Sequence, residues 1–178
     1  PENLLLIQSL GLHATLSWNV PAWSISVEFW MYLVFAALCW PGRRALAIGG
    51  GACIVVGFLG MALASADTNI GVFRCLCGFF TGHFTFRLWP AWPARRRFWL
   101  GYGEVPALLA VILFLVYAGG NRAAIFAPLL FGPVVLIFAA EQGTVSRLMR
   151  TGSIEHLGMW SYSIYMVHTV IFALISYI

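Results

Sequence analysis

The chain has 178 residues, 61% of them hydrophobic, with ten basic and six acidic side chains and a formal net charge of +4. Charged residues make up 9% against roughly 25% in soluble domains, and they sit in short stretches, so the chain lacks the charged surface a water-soluble fold needs. Disorder, collagen-like repetition and nucleic-acid binding are excluded as well, because each requires a polar, glycine-periodic or densely basic composition.

The chain opens at Pro1 without a signal-peptide pattern and reads as a piece of something longer. Residues Pro1 to Ala22 mix apolar Leu4 to Ile7 with Ser9, His13, Thr15, Ser17 and Asn19. They read as an external loop, an interfacial segment or the tail of a preceding span; their polar face has no basic row for lipid headgroups.

A membrane-crossing helix needs about 20 mostly apolar residues. Six stretches come near that length: Trp23 to Trp40, Ala45 to Ala64, Val72 to Trp89, Leu100 to Ala118, Ala123 to Ala140 and Leu157 to Ile178. The second is uncharged and holds Gly49, Gly50, Gly51, Gly57 and Gly60, residues that allow close helix approach in lipid. The fourth carries Glu104 and Pro106 near its start, so its helix is expected to begin several residues later. The expected fold is all-α, a polytopic transmembrane helical bundle of about six spans. Residues 1–22 form the leading segment and 23–178 the membrane domain.

Every basic residue is Arg, and eight of the ten (Arg43, Arg44, Arg87, Arg95, Arg96, Arg97, Arg147 and Arg150) fall in alternate breaks between the apolar runs. The positive-inside rule then puts the arginine-rich loops in the cytoplasm and both chain ends outside.

Two ionisable side chains interrupt apolar runs where desolvation is costly. Glu28 lies among Val27, Phe29, Trp30, Met31, Tyr32 and Leu33, six residues past Ala22 and so roughly 9 Å along the helix, with Tyr32 on its face at i+4. An intramembrane carboxylate is a functional candidate by default; the structural alternative is an ion pair with Arg74. His168 lies well inside the last run, on a polar seam with Ser161 and Tyr165, flanked by Tyr162. A hydrogen-bonded packing histidine is the plainer reading there; His83, also mid-run but with less polar company, reads first as structural. Cys75 and Cys77 are two apart while Cys39 and Cys53 stand alone, a spacing that builds no closed metal site. No hydrolase elbow, P-loop, dinucleotide glycine pattern or H-E-x-x-H helix occurs.

Three segments resemble one family. Pro21 to Phe35, reading PAWSISVEFWMYLVF, is similar to the W-S-L-S-V-E-x-x-x-Y signature of the acyltransferase-3 family of integral membrane O-acyltransferases. Phe73 to Gly82, FRCLCGFFTG, resembles its R-x-x-x-G-F-x-x-G stretch, and Ser161 to His168, SYSIYMVH, its S-Y-x-x-Y-x-x-H pattern in the last helix.

The resemblance implies transfer of an acyl group, often acetyl, from a cytoplasmic acyl-coenzyme A to a hydroxyl of an extracytoplasmic sugar or polysaccharide, in a bacterial inner membrane. It implies no tightly bound cofactor and no metal; acyl-coenzyme A is the donor substrate. Members resemble a bundle of about ten helices, whose early histidine and R-x-x-R motif have no counterpart here. The chain is therefore expected to be the C-terminal portion only, incomplete for catalysis alone, with missing N-terminal helices, membrane lipid and a sugar acceptor as its partners. Among expected catalytic residues, Glu28 polarises the acceptor or the missing base, Arg74 supplies compensating positive charge, and His168 with Tyr165 lines an inner channel. Trp23 and Ser24 form the outer wall, and Tyr32 joins them in substrate binding. The competing readings are a transporter or channel fragment, which moves a proton or solute through a polar-lined bundle, and a non-catalytic partner in envelope assembly.

Overall fold

A computed structural model describes residues 6–7, 22–64, 70–90, 93–119 and 121–176, without the side chains of residues 22, 94–96, 173 and 176. The expected external segment Pro1 to Ala22 lies outside the described residues except for Leu6, Ile7 and the backbone of Ala22. All regular structure among the described residues is helical.

The helices form where the apolar runs predict and stop at sequence breaks. The first, α1 (Ala22–Cys39), ends at Trp40-Pro41-Gly42. Gly42 takes φ 106°, which an L side chain rarely adopts, and so turns the chain directly into α2 (Arg43–Leu63). On α2, Gly50 and Gly57 are buried against α3 (Gly71–Leu88). A Cβ at Gly57 would lie 2.6 Å from the Phe73 carbonyl oxygen and 2.8 Å from the Cys77 nitrogen, so only glycine lets the two backbones meet there. Val27 of α1 and Cys77 and Phe80 of α3 are fully buried. Phe35 stacks edge-on against Phe79 at 5.6 Å between centroids, closing α1 over α3.

Past α3, Arg97 of α4 (Ala94–Leu100) folds back on the chain. Its guanidinium lies 4.3 Å from the centroid of the Trp89 ring and donates to the Trp89 carbonyl at 3.2 Å. A 3-10 turn, Gly101–Gly103, joins α4 to α5 (Glu104–Ala118) as one rod. Pro106 is tolerated in the first turn of α5, where its missing N–H has no intrahelical partner to lose. Asn121 then caps a 3-10 segment, Arg122–Phe126, by accepting from the Ala123 amide at 2.8 Å, and α6 (Ala127–Phe138) follows with Pro128 in its first turn. Short α7 (Thr144–Met149) leads to the longest helix, α8 (Gly152–Ser176), which is exposed along most of its length and meets the bundle chiefly through α7.

The helices correct the expected fold class in one respect. The all-α architecture stands, but among the described residues two helices, not about six, have the length and hydropathy of a membrane span: Arg43–Leu63 and the rod Arg97–Ala118. The physical reasons differ by element. The apolar part of α1 runs only Trp23–Cys39, and that around α6 only Arg122–Phe138, with Pro133 inside it. The hydropathy of α3 is reduced by Arg74, His83 and Arg87, while that of α8 is reduced by Ser161, Tyr162, Ser163, Tyr165 and His168 along its middle. The loop alternation that oriented the chain rested on six spans and lapses with them. Two apolar helices support association with a membrane.

Candidate functional site

A partly buried hydrogen-bonded pair on α1 lies where the W-S-x-S-V-E pattern falls. Ser26, fully buried, donates its hydroxyl to the Leu6 carbonyl at 2.5 Å, and the Trp30 indole N–H donates to the same oxygen at 2.9 Å. One turn apart on the helix, these two side chains pin the incoming chain. Trp23 and Ser24, half-buried at the start of α1, stand one turn earlier.

Glu28 and Tyr32 occupy the open side of the same helix. The Tyr32 hydroxyl donates to Glu28 Oε1, as the i, i+4 spacing allows. Tyr32 also packs edge-on to Phe79 of α3, 5.9 Å between centroids, which fixes the ring carrying that hydroxyl. The Glu28 carboxylate is exposed and lies within electrostatic reach of Cys75, while Tyr162 of α8 lies within that of Tyr32. The result is a carboxylate oriented by a phenol, whose second oxygen has no hydrogen-bond partner among the described residues.

The remaining candidates gather elsewhere. Among the described residues Glu28 and Arg74 form no ion pair; Arg74 instead lines a cleft of about 500 Å³ between α3, α5 and α6. On α8, His168 Nδ1 is 2.6 Å from the Tyr165 carbonyl oxygen, and the two rings lie 5.7 Å apart. His168 and Tyr165 thus sit together, on the helix least packed into the bundle. His83 is held by ring contacts with Phe35 at 5.3 Å and Phe84 at 5.5 Å, while its Nε2 is buried without a hydrogen-bond partner among the described residues.

One group escaped the sequence. Glu104 is fully buried at the start of α5 and accepts from the Gly143 amide at 2.9 Å, the Ser146 amide at 2.9 Å and the Ser146 hydroxyl at 2.5 Å. Its carboxylate thereby caps the N-terminus of α7 from another helix, satisfying amides that no residue of α7 can. A Cβ at Gly143 would strike both Glu104 and the Gly101 carbonyl oxygen, so the clasp requires glycine there. The signal available was an acid at the head of an apolar run, with G-x-x-S at 143–146; their partnership across the chain was not visible.

Beside this clasp lies a second cleft, of about 710 Å³, lined by Phe98, Tyr102, Gln142, Thr144, Arg147 and Arg150 among others. Arg150 pairs with Glu141 at 3.2 Å, and Arg147 donates to the Gly143 carbonyl at 3.2 Å.

No curated protein and no solved structure matches the chain. The family described as an acyltransferase domain matches residues 2–178. This corrects the expectation that the resemblance covers a C-terminal portion only: the match spans nearly the whole chain, including the leading segment. With a family match of that extent and helices apolar enough for a membrane, the chain belongs to the acyltransferase-3 family of membrane acyltransferases.

Proposed function

We propose that this protein is a membrane O-acyltransferase that moves an acyl group, acetyl in the simplest case, from acyl-coenzyme A to a hydroxyl of an extracytoplasmic sugar or polysaccharide. The observation that carries this reading is the family match over residues 2–178. We place it in a bacterial cytoplasmic membrane.

In this reading Glu28 receives the acceptor hydroxyl. Its carboxylate, held by Tyr32, accepts the hydroxyl proton and raises the nucleophilicity of the oxygen. That oxygen bonds to the thioester carbonyl carbon, the C–S bond breaks, and the departing sulfur takes up the proton as free coenzyme A thiol. Trp23 and Ser24 wall the acceptor side, Arg74 adds positive charge near α3, and Tyr165 with His168 lines the route on α8. The cleft at Arg147 and Arg150 suits the anionic phosphates of the donor, with Phe98 and Tyr102 as apolar surface for its ring.

The test uses the full-length protein in vesicles with labelled acyl-coenzyme A and a hydroxylated oligosaccharide. Label is expected on the acceptor, and Glu28→Gln is expected to reduce it by about a hundredfold or more, the range for loss of a general base. Solute passage without label transfer would overturn the reading in favour of transport, and unchanged turnover in Glu28→Gln would remove Glu28 from the mechanism.

A further inference from the structure

The cleft between α3, α5 and α6 is built unlike the rest of the molecule. Its volume of about 500 Å³ falls among ligand pockets of roughly 300–1,000 Å³. Its lining is apolar or small, with Phe114 and Leu115 from α5 and Pro128 and Phe131 from α6, and Arg74 is its one charged residue. Glycines on α3 keep it open without serving helix packing. A Cβ at Gly82 would meet nothing within 4 Å, and one at Gly78 would meet only the Pro128 side chain, at 3.8 Å. This differs from Gly57 on α2, whose missing Cβ is what lets two backbones touch.

Arg74 makes no ion pair with any described carboxylate, so among the described residues the cleft presents an apolar trough with one guanidinium that no carboxylate pairs. The C-terminal end of α5, at Leu115, Ala118 and Gly119, lines the same trough, and its partial negative charge favours a cation there without neutralising it. The rod that supplies this wall, Arg97–Ala118, is one of the two helices suited to cross a membrane. The ligand complementary to such a site has an apolar chain and a single anionic head.

We propose that this cleft is a binding site for an anionic membrane phospholipid, whose acyl chain lies between α3, α5 and α6 against Gly78 and Gly82 and whose phosphate pairs with Arg74. A guanidinium matches phosphate through paired N–H donors. A zwitterionic lipid offers the same chain with its phosphate offset by an ammonium, so the site selects by headgroup. The proposal does not rest on acyl transfer, and its test reads no turnover.

The experiment reconstitutes the full-length protein in vesicles containing phosphatidylglycerol or phosphatidylcholine with a photoreactive diazirine in the acyl chain, and maps cross-links by peptide mass spectrometry. Phosphatidylglycerol is expected to label α3, α5 and α6 in the cleft about fivefold above phosphatidylcholine, the preference one arginine gives near anionic lipid. Arg74→Gln is expected to erase that preference and Arg74→Lys to keep most of it. Gly82→Leu, which fills open space, is expected to lower cleft labelling by both probes while labelling of exposed α8 stays unchanged. Equal labelling by the two headgroups, a preference that survives Arg74→Gln, or cleft labelling no higher than that on α8 would each overturn the proposal. Should Gly82→Leu fail to fold, the Gln and Lys variants at Arg74 decide it alone.

Discussion

Glu104 and Ser146 are joined by two hydrogen bonds across 42 residues of chain, one from the serine amide and one from its hydroxyl. With the Gly143 amide as a third donor, the buried carboxylate is the main polar tie between α5 and α7. Glu104→Ala should therefore destabilise the fold by about 3 kcal/mol, because hydrogen bonds to a buried charge contribute roughly 1.5–3 kcal/mol each and their loss leaves donors unsatisfied. Glu104→Gln, which keeps one acceptor oxygen, should cost about half as much. Thermal unfolding in mild detergent measures both, and limited proteolysis should show faster cleavage between α6 and α7 in the alanine variant.

The glycines of α2 separate into those that packing requires and those it does not. Gly57→Leu forces a side chain into the α3 backbone and should cost about 3 kcal/mol or more, the upper range of overpacking. Gly51, whose Cβ would meet nothing within 4 Å, provides the contrast. Gly51→Ala should leave stability unchanged or raise it by up to about 1 kcal/mol through helix propensity. Unfolding midpoints of the two variants, measured side by side, check the pattern.

If Glu28 acts through the orientation Tyr32 gives it, Tyr32→Phe should lower acyl transfer about tenfold, in line with one hydrogen bond to a charged group. The double variant with Glu28→Gln should be no slower than Glu28→Gln alone, since the phenol then has no carboxylate to hold. Additive losses would show that Tyr32 acts on its own.

Arg97 holds the turn between α3 and α4 through the face and carbonyl of Trp89. Arg97→Ala should cost about 1 kcal/mol, and Arg97→Lys should recover part of it, because an ammonium keeps the charge but loses the planar contact. Tryptophan fluorescence in a variant retaining Trp89 as its reporter should shift to longer wavelength when the guanidinium is removed.

Helix positions were largely legible in the sequence because apolar runs and their breaks are local features. Gly42 ends one helix and starts the next, but the fourth run, expected to begin several residues after Leu100 because of Glu104 and Pro106, instead continues back through a 3-10 turn to Arg97. Membrane crossing was less legible, since it depends on where a helix stops. Reaching α6 through a 3-10 segment, with Pro133 inside the helix, leaves the apolar helix there short of a span. Glu28 and Tyr32 were readable as neighbours from their spacing alone. The separation of Arg74 from Glu28 was not, because charge complementarity in a sequence says nothing about which cleft an arginine lines. The Glu104 clasp was hidden for the same reason, its partners being brought near only by the packing of α7 on α5.

The longest helix takes its bearing from the shortest. Because α8 meets the bundle chiefly through α7, and α7 is moored at its first turn by Glu104, the pose of Tyr165 and His168 is set by a lever whose fulcrum is one buried acid. A small tilt at residues 143–146 grows with distance along a helix of 25 residues. Movement of the far end of α8 is thus geared to the integrity of a single carboxylate, and a ligand in the adjoining arginine cleft sits beside that fulcrum, within reach of the whole arm.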